Sequence, residues 1–256
     1  MLNFLIDTEI EYTKCFSKYF EDEKIVRFRD NHICDMYSHN YTLIKDYMSE
    51  QEINYLITEE IMRSKKEHKN FLQIECNFNI KSELLNSFKI KPQVTIQDYM
   101  YIKSDKFNLL CGNNECTITV AETVTVMEDG IKVDILANSS AMGEEFAYKR
   151  IQRKAMVYRE DNSLSFFVCY HNEVPIGNCE LFLNKKIAKI EDFDILESYQ
   201  RKGFGTSVLK ELLKCSNKFG AEIVYLLTDS ENTAKDMYKK CGFLKAGAKT
   251  ILNFSI

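Results

Sequence analysis

The chain has 256 residues, 45% hydrophobic and 28% charged, with a formal net charge of -4; this excludes a disordered chain and, at about 150 residues per domain, points to one or two folded domains. Residues 1–115 hold 15 Lys/Arg against 19 Asp/Glu and residues 116–256 hold 19 of each, so neither half is a basic nucleic-acid module; the one dense cluster, Arg63-Ser64-Lys65-Lys66, closes a predicted helix, where cations favour the dipole. Nine cysteines form no Cys-x-x-Cys pair and no ligand-spaced cluster with the four histidines, which predicts free thiols and no metal site.

The N-terminus, Met-Leu-Asn-Phe-Leu-Ile-Asp, turns acidic too early for a signal peptide, and no apolar run reaches membrane-spanning length. The expected location is cytoplasmic, with no membrane partner. Ile25–Met36 and Tyr41–Tyr47 read as strands, and Ser49-Glu50-Gln51-Glu52 is a capping box that opens a helix with apolar positions 53, 56, 57 and 61. Asn70–Cys76 follows as a strand, Ile80–Phe88 as a short helix and Val94–Ile102 as an alternating strand. Turn residues at 105–115 set a boundary between units 1–111 and 112–256. All nine glycines fall at position 112 or later, so only the second unit has the backbone freedom to build a phosphate-cradling loop.

The second unit opens with a strand near Cys116–Val126 and a helical region that is clearest at Met142–Tyr158. Leu164–Tyr170 and Val174–Phe182 form an antiparallel hairpin about His171-Asn172-Glu173. A strand at Ile187–Ile195, a helix from Gly205 to about Phe219, an apolar strand at Ile223–Leu227, a helix at Asn232–Cys241 and a strand near Lys249–Phe254 complete the chain. Apolar positions 187 and 190 change phase to 193 and 195, which predicts a bulge near Glu191-Asp192. The chain then turns and enters a helix through Gly203-Phe204-Gly205-Thr206. Amides at a helix start, unobstructed by side chains, suit a pyrophosphate, and Arg201 and Lys202 add positive charge.

Gln200-x-x-Gly203-x-Gly205 resembles the [Arg/Gln]-x-x-Gly-x-[Gly/Ala] motif of the GNAT N-acetyltransferases, and Asn232-Thr-Ala-Lys-Asp-Met-Tyr238-Lys-Lys-Cys-Gly242-Phe243 resembles that family's second signature. Ala234 stands two residues after Asn232 where the family has three. The resemblance covers residues 116–256 and implies an α/β (α+β) GNAT fold, a mixed central sheet with flanking helices. It also implies acetyl-CoA as co-substrate, its pyrophosphate held by Gln200, Arg201, Lys202, Gly203, Phe204, Gly205 and Thr206. Phe193 and Ile195 would pair with the pantetheine, Asn232 would contact the cofactor, and Tyr238 would protonate the departing thiolate.

Of the three carboxylates Glu191, Asp192 and Asp194, Glu191 is the expected general base, set on the alternation face of Phe193 and Ile195. The first half repeats the coarse element order and resembles a degenerate copy, a second GNAT-like domain in tandem. Its loop, Tyr47-Met-Ser-Glu-Gln-Glu52, carries carboxylates that would repel phosphate. It is expected to shape the acceptor cleft or a homodimer contact. The implied reaction is direct acetyl transfer to a primary amine of a small molecule or peptide. A non-catalytic acetyl-CoA sensor and a tRNA-dependent aminoacyl transferase are the alternatives.

Overall fold

The first half runs α1 (Leu2–Lys14), β1 (Lys18–Glu21), β2 (Ile25–Arg29), β3 (Tyr41–Ile44), α2 (Glu50–Lys66), β4 (Phe71–Cys76), α3 (Ser82–Ser87) and β5 (Gln93–Lys103). The second runs β6 (Thr117–Val120), α4 (Val124–Met142), α5 (Glu144–Glu160), β7 (Leu164–His171), β8 (Val174–Asn184), β9 (Ile187–Ile195), α6 (Phe204–Lys218), β10 (Ile223–Asp229), α7 (Ala234–Lys240) and β11 (Leu244–Ser255). These elements come from a computed structural model that describes residues 1–231 and 234–256. The series β1-β2-β3-α2-β4-α3-β5 recurs in order as β7-β8-β9-α6-β10-α7-β11, so the tandem architecture is visible in the element order itself.

Among the described residues eleven strands join one mixed sheet in the order β1-β2-β3-β4-β11-β5-β10-β9-β8-β7-β6. Each repeat has one parallel pair, β3 with β4 and β9 with β10. The repeats exchange their last strands. β5 pairs with β10 of the second repeat, β11 pairs with β4 of the first, and β5 and β11 pair with each other at the centre. The exchange reaches into the cores. Leu209, Leu212 and Leu213 of α6 pack on Ala188, Ile190, Val224 and Leu226, together with Met100 and Ile102 of β5. Ile53, Leu56 and Ile57 of α2 pack on Leu72 and Ile74, together with Leu252 and Phe254 of β11.

Local sequence signals explain most boundaries. The Ser49–Glu52 capping box forms in both directions, and Asn172 and Glu173 adopt the positive φ of a tight hairpin turn. Four features go beyond the sequence reading or depart from it. Residues 2–14 form a helix that periodicity did not announce, because its buried face carries Thr8, Glu9 and Thr13 beside Leu5, Ile10 and Tyr12. The strand expected over 25–36 stops at Arg29, because the Asn40 amide donates to the carbonyls of Ile33 and Met36 and holds residues 30–40 as a loop. The strand expected over 116–126 stops at Val120, because Thr123 caps α4 by accepting from the Val126 amide. The helical region beyond it is two helices, divided at Gly143 with φ +83°.

Candidate active site

The predicted bulge forms on β9. Asn178 pairs with Asp194 and Glu180 with Glu191, so Cys179 alone faces both Asp192 and Phe193. Asp192 takes φ +45°, a left-handed conformation in which a non-glycine residue is strained. The bulge reverses the alternation. Ala188 and Ile190 before it, and Phe193 and Ile195 after it, pack on the α6 and α7 side, whereas Glu191 and Asp192 line a cavity on the opposite face. Glu191 therefore does not share a face with Phe193 and Ile195, which corrects the face assignment made from simple alternation.

β9 and β10 pair only from Ile187–Lys189 to Ile223–Tyr225. Beyond that point β9 continues against β8 to Ile195 and β10 continues against β5 to Asp229, so the two strands part. Backbone groups facing the gap have no strand partner there.

The glycine loop stands at the α6 side of this gap. Gly203, with φ +86°, precedes α6, and no side chain caps the helix. The amides of Phe204, Gly205 and Thr206 therefore lack intrahelical acceptors. At the matching place in the first repeat, Ser49 and Glu52 already satisfy the start of α2. The loop is braced from two directions. Gln200 Nε2 donates to the Ile195 carbonyl at 2.8 Å. Asn113 donates to the Gly203 and Lys202 carbonyls and accepts from Ser207 Oγ. Phe204 is buried against His171, whereas Arg201 and Lys202 are exposed. A methyl group on Gly205 would meet Phe193 at 3.5 Å and Met237 at 3.6 Å, so β9, α6 and α7 converge at this point.

Tyr238 lies on the same side, its ring centroid 6.5 Å from that of Phe193 and 5.7 Å from that of Phe243. Burial, reinforced by nearby Cys179, Glu191 and Asp194, pushes its hydroxyl well above the ordinary value. It is thus a phenol that keeps its proton. Asn232 lies outside the described residues.

On the opposite face is a cavity of about 700 Å³ whose walls come from both halves: Tyr12 of α1, His39, Arg150 of α5, Glu191 of β9 and Leu227 of β10 among them. Glu191 and Asp192 line it, and the three β9 carboxylates differ sharply. Arg150 at 2.8 Å and Lys154 at 2.5 Å hold Asp192 and outweigh its burial, keeping it well below the usual carboxylate range. Burial raises Asp194, which accepts from Asn138 at 3.0 Å. Burial also raises Glu191, against the pull of Lys189 at 2.8 Å, and its side chain keeps 35% of its surface. Glu191 thus combines a raised carboxyl with a place in the cavity wall. Arg150, Lys154, Lys189 and Glu9 carried no sequence signal, since a charged residue on a helix or strand reads as solvated. Arg150 and Lys154 are four residues apart on α5 and both turn inward.

Residues 135–243 match the model of the acetyltransferase (GNAT) family. A Bacillus subtilis (strain 168) protein named as an uncharacterized N-acetyltransferase, CgeE, is 28% identical over 245 residues, covering 93% of this chain and 92% of its own. Residues 135–243 are thus similar to a GNAT acetyltransferase domain. The whole fold is shared with a functionally unknown conserved protein from Staphylococcus epidermidis ATCC 12228, at 20% identity, a TM-score of 0.81, and coverage of 93% of this chain and 94% of that one. A GCN5-related N-acetyltransferase from Kribbella flavida shares it at 10% identity, a TM-score of 0.72, and coverage of 98% and 95%. The fold shared with these two proteins therefore includes the first half as well, beyond residues 135–243. Among the described residues no helix is long and apolar enough to cross a membrane.

Proposed function

We propose that this protein transfers the acetyl group of acetyl-CoA to a primary amine of a small-molecule or peptide acceptor, by direct attack of the amine on the thioester. The observation that carries the reading is the parting of β9 from β10, with the glycine loop and Tyr238 on one face and the Glu191 cavity on the other. A thioester threaded through that gap would meet its two partners from opposite sides.

The residues fit such a co-substrate. The uncapped start of α6 offers amides to a pyrophosphate, with Arg201 and Lys202 adjacent. The free edges of β9 and β10 offer donors and acceptors to an extended amide chain, which is the role given to the backbone at Phe193 and Ile195. Acetyl-CoA supplies the activated acyl group. Glu191 takes the proton from the acceptor's ammonium, freeing a lone pair for attack. Tyr238, still protonated, donates to the sulfur as the thiolate departs. Residues 112–256 carry this machinery, and residues 1–111 act as a degenerate repeat whose own helix start is closed by its capping box.

Calorimetric titration with acetyl-CoA is expected to give one site per chain. Thiol release with acetyl-CoA and a panel of primary amines is expected to identify at least one acceptor. Two equivalent sites per chain would overturn the degenerate-repeat assignment, and cofactor binding with no turnover across the panel would favour a sensor.

A further inference from the structure

Carboxylates and ammonium groups alternate along the floor of the cavity. Glu75 on β4 meets Lys249 on β11 at 2.9 Å, and Lys249 stands 3.8 Å from Glu9 of α1. Glu9 holds Lys189 of β9 at 2.9 Å, and Lys189 holds Glu191 at 2.8 Å. All five line the cavity; the first four side chains are below a tenth exposed, and Glu191, at 35%, is the most open of them. Glu9 is fixed further by the Tyr225 hydroxyl, which donates to it at 2.8 Å. The Lys189 ammonium lies 3.8 Å from the centre of the Tyr12 ring.

We propose that Glu9 is a positioning residue for the general base: through Lys189, the N-terminal helix of the first half fixes the Glu191 carboxylate and sets its affinity for a proton. This rests on the reading of Glu191 as the base. An ammonium given wholly to Glu191 would hold that carboxylate ionised and make it a weak base. Shared with Glu9, the same ammonium stabilises the Glu191 carboxylate less and leaves it a higher affinity for a proton.

The charged groups facing Glu191 are Lys189 and Asp192 of its own strand, Glu9 of α1 and Lys154 of α5; Glu180 of β8 pairs with it across the strands. Asp192 is already engaged by Arg150 and Lys154. The phenols nearby, Tyr12 of α1, Tyr41 of β3, Tyr225 of β10 and Tyr238 of α7, are all pushed up by burial and stay neutral. Glu9 and its own counter-ion Lys249 are therefore the charges that can be altered without touching the groups that contact Asp192.

The test is a ¹³C carboxyl NMR titration of Glu191 in the full chain, its resonance assigned by its loss in Glu191→Gln. Removing the negative charge in Glu9→Gln is expected to lower the Glu191 midpoint by roughly half to one pH unit, and Glu9→Asp is expected to restore most of it. Lys249→Gln, which leaves Glu9 less neutralised, is expected to raise the midpoint. The opposite shift of Lys249→Gln keeps the test decisive should Glu9→Gln fail to fold. A Glu191 midpoint unmoved by either charge change in a folded protein overturns the positioning role. Thiol release from acetyl-CoA by Glu191→Gln, with the panel amine that the wild type acetylates fastest, is read separately. Full turnover there overturns the base itself, whatever the titration gives.

Discussion

At the scale of single residues, Tyr238 separates a catalytic reading from a packing one. Its ring belongs to the core beside Phe193 and Phe243, and its hydroxyl is held protonated by burial first, then by Cys179 and the neighbouring carboxylates. Phenylalanine keeps the ring and removes only the oxygen. If that oxygen serves the leaving thiolate, Tyr238→Phe should lower turnover by about 10²–10⁴-fold, the range for a positioned general acid, with acetyl-CoA affinity nearly unchanged. Steady-state thiol release beside calorimetric affinity checks this, with melting temperature as the control for folding. Unaltered turnover in the folded variant would leave Tyr238 as an aromatic packing residue. The proton side of the same reaction gives a second residue-scale expectation. Because burial raises Glu191 above its ordinary value, activity should fall as pH drops through a midpoint above the usual carboxylate range, as the base becomes protonated.

At the scale of elements, the glycine loop shows why a glycine that braces it and a glycine within it differ. A methyl group on Gly112 would lie 2.1 Å from Ser207 Oγ and 2.6 Å from the Ser207 amide. The contact is with backbone, so the strut through Asn113 must shift. Gly112→Ala should therefore cost about 1–3 kcal/mol of stability or cofactor affinity, as overpacking does. A methyl on Gly205 would meet its neighbours at ordinary contact, 3.5 Å from Phe193, so Gly205→Ala should bind acetyl-CoA about as well as wild type. Calorimetry on the two variants checks the contrast, and equal losses in both would refute the bracing role of Asn113. The parts of this element that were legible in the sequence are local: the phase change that marks the bulge, the glycines at the helix start, the capping box that closes the other repeat. The brace from Gly112 and Asn113 was not legible, because it joins residues some ninety positions apart. The charge ladder was not legible either, since nothing in a single lysine or glutamate tells a solvated side chain from one buried against a partner on another strand.

The whole molecule is governed by the strand exchange, which no periodicity announces because strand pairing is non-local. Val94–Ile102 was readable as an alternating strand, but its neighbours were not, and they lie in the other half of the chain. β5 pairs over seven positions with β10 and over nine with β11, and it supplies Met100 and Ile102 to the core under α6. A chain cut to residues 112–256 keeps every residue proposed to hold acetyl-CoA, yet it loses the strand that joins β10 to β11. Both strands would then present long, unpaired edges, and α6 would face a core stripped of three buried side chains, Met100, Ile102 and Leu110. The cut also removes α1 and the turn after it, whose Tyr12 and Phe16 pack with Val157, Leu164 and Phe182 of the second half. Residues 112–256 alone should consequently be aggregated or unfolded, while the same segment coexpressed with residues 1–111 should reassemble and bind acetyl-CoA. Size-exclusion chromatography, far-ultraviolet circular dichroism and calorimetry on the two preparations decide the matter. A monomeric, folded 112–256 fragment that binds acetyl-CoA with wild-type affinity would show that β5 and α1 are dispensable to the cofactor site, and would confine the first half to the acceptor side of the cavity.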